Sequence, residues 1–329
     1  MNIIEKVRAT TSSRTFNNER QRIIQGGKGW MMSILRLILI VGISYVILGP
    51  MIGIVSSSFF SDADKYNPVV YMIPQDPTVM RYELAIKRLD YWAVLLRNLG
   101  YVLSLSAIQV VICSLVGYGF ARFKFPLKNV LFGCVILTIV IPTYSIMLSM
   151  YMTFQNFDPL GIIGFFTGGK ERGWNLLTTT TPMYILTVFG AGLRSGLYIY
   201  IFNQFFRGLP KEIEEAASVD GAGTFYTYAR IMMPNAMPSI ITVLLFSMVW
   251  QYNDTYYANL FNIKPTVLLS KQIGSLQATI SNLDLIKDPA ISTLYLYAGI
   301  VLVITPLILL YVILQKQFIE GVERSGIVG

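Results

Sequence analysis

The sequence predicts an all-α integral membrane protein with six transmembrane helices, and three observations carry that prediction. The chain has 329 residues, of which 54% are hydrophobic and 13% charged, against roughly a quarter charged in an ordinary soluble domain. Its apolar residues gather into runs of about 20, the length a helix needs to cross a hydrocarbon core. Most of the Lys and Arg residues behind the net charge of +8 lie in loops and terminal segments outside those runs. This distribution reads as orientation signals and not as a nucleic-acid-binding patch.

Residues 1–29 form a basic arm with Lys6, Arg8, Arg14, Arg20, Arg22 and Lys28 against Glu5 and Glu19. The arm is polar and lacks a short apolar core with a small-residue cleavage site, so no cleavable signal peptide is expected. Residues 30–329 form one domain with spans at about 31–59, 98–120, 130–152, 182–205, 237–257 and 293–314. The first exceeds the minimum length and is expected to tilt or project. Pro142 and Pro306 fall inside the third and sixth, where neighbouring helices can satisfy the freed carbonyls. Gly117, Gly119, Gly190, Gly192 and Gly196 are read as close helix-packing positions. Tyr252, Tyr256 and Tyr257 are read as anchors at the membrane interface.

The short loop 121–129 carries Arg122, Lys124 and Lys128 and no acid. This places it inside, and with it the N-terminal arm and, after six spans, the C-terminal tail 315–329. Histidine is absent, which removes the commonest general base and metal ligand. Cys113 and Cys134 sit in apolar runs and read as small hydrophobes. No catalytic or metal site is expected. No G-x-x-x-x-G-K-[ST] loop occurs, and Gly26-Gly27-Lys28-Gly29 has neither the spacing nor a strand before it.

The most informative stretch is polar, 209–234, between the fourth and fifth spans. Pro210 suits a first helical turn, and Glu212, Glu214 and Glu215 suit its positive end. Asp220-Gly221 is a helix-ending turn. Thr224 can cap a second short helix, 225–232, that stops at Pro234. Ala216 and Ala217 offer a small surface on which another protein can close, with Glu215 available for a charge pair. From these features alone, an ordinary amphipathic interfacial helix is an equal reading.

The spacing Glu215-Ala216-Ala217, then Gly221, then Ile231-Met232-Met233-Pro234 resembles the EAA loop of ABC importer permeases, with Met233 where that family usually has Leu. Further segments are similar to its maltose-type carbohydrate branch: Gly117-Tyr118-Gly119-Phe120-Ala121-Arg122, Tyr71-Met72-Ile73-Pro74, Trp250-Gln251-Tyr252-Asn253-Asp254, and the tail Gln315-Lys316-Gln317-Phe318-Ile319-Glu320-Gly321. The resemblance implies a type I importer permease fold in a bacterial cytoplasmic membrane. It makes Glu215, Ala216, Ala217, Asp220, Gly221, Ile231 and Pro234 the coupling residues that dock on an ATPase. The implied partners are two cytoplasmic ATPase subunits, a second and different permease chain, an extracellular solute-binding protein and membrane lipid. ATP and Mg belong to the ATPase subunits, and this chain binds no cofactor of its own. The implied cargo is a sugar or oligosaccharide, moved by alternating access.

Arg194 stands inside the fourth predicted span, and a charge at membrane depth is a functional hypothesis by default. It can serve the solute path or pair with a carbonyl or another helix. Tyr144 and Asn253 are further candidates for the path. Three other readings stand beside this one: a non-sugar cargo, an ion-coupled secondary transporter, and a membrane enzyme. The second wants carboxylates near the midplane and paired repeats. The third wants paired acids or histidine inside a span.

Overall fold

The computed structural model of the chain describes residue 30, residues 32–166, residue 168 and residues 173–326, with side chains as far as residue 316. The basic arm 1–29 and the side chains of the tail beyond residue 316 lie outside the described residues. The chain divides into two compact units, Met1–Pro77 and Thr78–Gly329.

In the first unit, helix α1 (Met32–Ser57) is long and apolar enough to cross a membrane, and its most apolar window buries nothing within the chain. Ile38, Ile40 and Val46 are exposed along it, as expected where lipid is the contact. A short helix α2 (Asp62–Tyr66) follows, closed by a reciprocal cap between Ser61 and Asp64. Asp64 is buried and also accepts the backbone N–H groups of Gln75 (3.1 Å) and Asp76 (3.2 Å), which folds the loop back on itself.

The second unit is helical among the described residues, with one isolated bridge between Phe157 and Trp174. It runs α3 (Met80–Leu89), α4 (Tyr91–Arg122), α5 (Lys128–Val140), α6 (Met147–Gln155), α7 (Ile162–Phe166), α8 (Thr181–Val188), α9 (Ser195–Gly208) and α10 (Glu212–Val219). Next come α11 (Thr224–Tyr226), a π-helical turn over Thr227–Met232, α12 (Met233–Asn235), α13 (Met237–Tyr252), α14 (Tyr256–Leu260), α15 (Leu269–Leu283) and α16 (Pro289–Gly326).

Three helices, α1, α4 and α16, are long and apolar enough to span, and two bent pairs raise the number to five. The third expected span is such a pair: the chain turns by 104° between α5 and Thr143–Gln155. Pro142 disfavours helix at the preceding residue, and Ile141 is extended. Pro306 has no such effect, and α16 continues through it. The fourth expected span is two helices, α8 and α9, separated by 189–194. The break follows from Gly190 at φ +71° and Arg194 at φ +60°, both left-handed. The fifth ends as a helix at Tyr252, and its start is bent by 79° from the preceding helical segment.

The core forms where α4 packs along α9, with α8 and α13 beside it. Cys113, Tyr198, Phe202, Phe206, Met232 and Val243 are fully enclosed there. In lipid the gain comes from close packing more than from leaving water. A Cβ on Gly117 would lie 2.7 Å from the Phe202 Cβ and 3.0 Å from the Asn203 nitrogen, so only glycine allows this approach. Gly196 meets Thr138 and the Val135 carbonyl in the same way, whereas Gly119 has only the Phe123 ring, 4.0 Å away. α16 packs on α3, α13 and α15.

The tyrosines expected at the membrane interface are not free anchors. Tyr252 is 1% and Tyr257 5% exposed. The Tyr252 hydroxyl donates to the Val303 carbonyl at 2.7 Å, and that of Tyr256 to the Thr143 carbonyl at 2.9 Å. Tyr252 and Tyr257 are buried and Tyr256 is half-buried.

Candidate functional site

The interruptions in α5–α6 and α8–α9 face one another across a cavity of about 540 Å³. Its wall includes Thr138, Thr143, Tyr144, residues 190–197, Trp250 and residues 253–257. The three expected path residues Arg194, Tyr144 and Asn253 all line it. Irregular backbone at membrane depth is sustainable where it lines such a space.

Each wall residue is set by its local structure. Arg194 caps the start of α9 in the left-handed conformation, and its guanidinium lies over the Trp250 ring, 4.4 Å from the centroid. The Tyr144 ring meets the Tyr256 ring edge to face at 4.8 Å. The Asn253 amide turns back to donate to the Val249 carbonyl at 2.9 Å. The Asp254 carboxylate accepts the Tyr257 N–H at 3.2 Å.

Behind this wall sits a residue that sequence reasoning missed. Gln109 of α4 is fully buried. Its amide donates to the Leu193 carbonyl (2.6 Å) and the Ser195 hydroxyl (2.9 Å), the residues on either side of Arg194. Its carbonyl accepts from the Ser247 hydroxyl of α13 at 2.7 Å. One side chain thus supplies partners for a carbonyl freed by the helix break and ties three helices together. The available signal was an amide alone in the apolar run 107–116.

The second candidate site is the polar hairpin. α10 carries Glu212, Glu214 and Glu215 in its first turn, where the helix dipole favours acids. It ends with the Ala222 N–H on the Ala217 carbonyl (2.9 Å) and the Gly221 N–H on the Ser218 carbonyl (3.1 Å). This double closure needs a left-handed residue, and Gly221 supplies it at φ +80°. Gly223, not Thr224, caps the next helical segment, because its extended backbone is what that position requires. Pro234 lies inside α12, and the chain turns only at Ala236.

Glu215, Ala216, Asp220, Gly221 and Pro234 are exposed, and Ile231 is half-buried. Ala217 is 4% exposed, which corrects the expectation that both alanines present a surface. Successive helical residues point about 100° apart, so when Ala216 faces out, Ala217 turns into the chain. Val219, Phe225 and Tyr226 of the hairpin are exposed as well, apolar side chains the sequence did not single out.

Residues 110–324 match the family described as binding-protein-dependent transport system inner membrane component. The chain is similar to the maltodextrin transport system permease protein MdxG of Bacillus subtilis (strain 168), 28% identical over 235 residues covering 70% of this chain and 74% of MdxG. It is also similar to the trehalose transport system permease protein SugB of Mycobacterium tuberculosis (strain CDC 1551 / Oshkosh), 25% identical over 259 residues, 78% of this chain and 85% of SugB. The crystal structure of a bacterial ABC transporter involved in the import of the acidic polysaccharide alginate matches with a TM-score of 0.67 at 20% identity, over 88% of this chain and 96% of that one. At that identity the likeness is one of fold. The family match covers more than half of the chain and takes in the hairpin and both breaks of the cavity wall. This chain therefore belongs to the binding-protein-dependent transport system inner membrane components, as a permease subunit of an ABC importer and not an enzyme.

Proposed function

We propose that this permease imports a sugar or oligosaccharide through the cavity around Arg194. The observation that carries the reading is the convergence of Arg194, Tyr144 and Asn253 on one cavity walled by interrupted helices. Aromatic faces beside hydroxyls and an amide suit a ring-shaped polar solute. The names of the similar maltodextrin and trehalose permeases support the same cargo class.

The chain acts as one half of a permease pair, beside a different permease chain. Six spans result when α8 and α9 are counted as one broken span, with both termini on the cytoplasmic side. Two cytoplasmic ATPase subunits hold ATP and Mg, and a solute-binding protein delivers cargo from outside. The hairpin 209–234 docks on an ATPase subunit through Glu215, Ala216, Asp220 and Gly221. The side chains of Ala217, Ile231 and Pro234 hold the hairpin's own shape or its exit. ATP closes the ATPase pair, the hairpin moves with it, and the cavity opens outward; hydrolysis reverses the motion. Each state is selected through its own contacts.

Uptake by the complete complex in proteoliposomes, with ATP inside and the binding protein outside, tests the proposal. ATP-dependent accumulation of at least one saccharide from a broad panel is the expected result. Accumulation driven by an ion gradient without ATP, or of no saccharide at all, would overturn it.

A further inference from the structure

We propose that the saccharide carried is acidic, and that its carboxylate seats on Arg194. The inference rests on the reading of this cavity as the solute path and goes further by assigning the solute a charge.

Arg194 and Asp254 are the charged residues of the cavity wall, and they are engaged differently. Asp254 spends one carboxylate oxygen on the Tyr257 N–H. Arg194 takes part in no ion pair among the described residues, unlike Arg88 with Asp284, Arg97 with Asp90 and Arg122 with Glu214. Its side chain has a ring contact with Trp250 and no acceptor among the described residues. A guanidinium lying over an indole face keeps its N–H edges open, and two parallel N–H groups match the two oxygens of a carboxylate. A neutral sugar would leave that fork facing single hydroxyls.

The backbone points the same way. Arg194 adopts φ +60°, a conformation that glycine or asparagine takes with less strain. Strain of this kind is sustained when the surroundings over-determine it and function uses it. Here Gln109 fixes the residues on both sides, through the Leu193 carbonyl and the Ser195 hydroxyl. The guanidinium is therefore held in place before any solute arrives, which a selective anion site requires. The Tyr144 and Tyr256 rings stand on the same cavity wall, where they can meet the sugar ring attached to the carboxylate.

The test compares uptake of oligouronides with uptake of the same oligomers after reduction of their carboxyl groups to alcohols. Trimers of galacturonic, glucuronic, mannuronic and guluronic acid are the probes, with the complete complex in proteoliposomes. Preferred uptake of at least one acidic trimer, tenfold or more over its reduced counterpart, is expected. Arg194→Gln should remove most of that preference, and Arg194→Lys should restore part of it. Equal uptake of acidic and reduced trimers, or of neutral saccharides alone, overturns the acidic assignment and leaves the sugar reading standing. No uptake of any saccharide overturns both. Undiminished preference in Arg194→Gln overturns the role of Arg194. Should that variant not assemble, the comparison in the unaltered complex still decides the charge of the cargo.

Discussion

Arg122, the last residue of α4, holds Glu214 of the hairpin helix: its Nε lies 3.0 Å from the Glu214 Oε2. The geometry is that of an ion pair and not of an aligned hydrogen bond. The same guanidinium donates to the Leu209 carbonyl at 2.8 Å, and the Tyr118 hydroxyl donates to the other Glu214 oxygen at 2.6 Å. Both charged side chains are largely shielded from solvent. The hairpin is thus tied to α4, the helix that also holds the cavity wall through Gln109. α4 is therefore a physical route between the hairpin and the cavity wall.

That route predicts the effect of cutting it. Arg122→Met leaves Glu214 without its charge partner and should cost about 1–3 kcal/mol of stability, as for hydrogen-bonded charged groups. It should also lower ATP-driven uptake while the ATPase subunits remain attached. The charge swap Arg122→Glu with Glu214→Arg should recover part of the loss. Pull-down of the ATPase and uptake in the same preparations separate docking from transmission. Wild-type uptake in Arg122→Met would rule out the link.

Gln109 should matter more than its surroundings suggest. Gln109→Leu is close in size, yet it strands the Leu193 carbonyl and leaves the Ser247 hydroxyl with Ser106 alone, 2.9 Å away. Leaving buried polar groups unmatched costs about 1–3 kcal/mol each. Thermal unfolding in detergent should show the loss, and uptake should fall further than stability because Arg194 is no longer held. A variant with unchanged melting and unchanged uptake would remove Gln109 from the cavity's support.

The long helices were legible because an apolar run of sufficient length needs no partner to declare itself. The hairpin was legible for another reason: Pro210, the acidic first turn and Gly221 act locally, so their chemistry survives without tertiary knowledge. The break at 189–194 was not legible. Phe189-Gly190-Ala191-Gly192-Leu193 is as apolar as a continuous span, and its glycines serve helix packing equally well on paper. Gly196, a few residues on, does pack. Gln109 was hidden because its partners are a carbonyl freed by that break and a serine on a distant helix. The inward turn of Ala217 depended on register, which an isolated pair of alanines does not reveal.

The exposed coupling turn has its own test. Gly221 is left-handed with open space around its missing Cβ, so a side chain there meets backbone strain and not a clash. Gly221→Val should strain the turn by about 1–2 kcal/mol. Glu215→Lys reverses an exposed charge without touching the core. Both should insert normally in the membrane and yet reduce ATPase attachment or uptake. Normal attachment and uptake in both would contradict docking through this turn.

Gly196 offers a packing test. Any Cβ there runs into Thr138 and lies 3.0 Å from the Val135 carbonyl. Gly196→Ala should force α5 and α9 apart and destabilise by about 1–3 kcal/mol, the usual range for overpacking. Thr138→Ala in the same chain removes one of the two obstacles and should return part of the stability. The two sites are in contact, so their effects should not add. Simple additivity in a double-mutant cycle would mean that the helices do not approach as closely as described.

Outside the spans, Arg88 and Asp284 join α3 to the end of α15, with the Arg88 Nε donating to the Asp284 Oδ2 at 2.9 Å. This hydrogen bond, helped by the positive charge of Arg88 and Lys87, holds the Asp284 carboxyl below its ordinary value of 3.8. A depressed native value means that the folded state binds the proton less readily than the unfolded state. The contribution is therefore complete above the ordinary value and is lost as the pH falls through the lower, native one. Asp284→Asn lacks that titration. The stability difference between the unaltered protein and Asp284→Asn, read from thermal unfolding in detergent, should stay constant from about pH 7 to about pH 5 and shrink below about pH 4. High salt should narrow the difference at neutral pH, because the pair is partly exposed. A difference that grows on acidification would reverse the assigned sign and show that the carboxylate is not stabilised by Arg88.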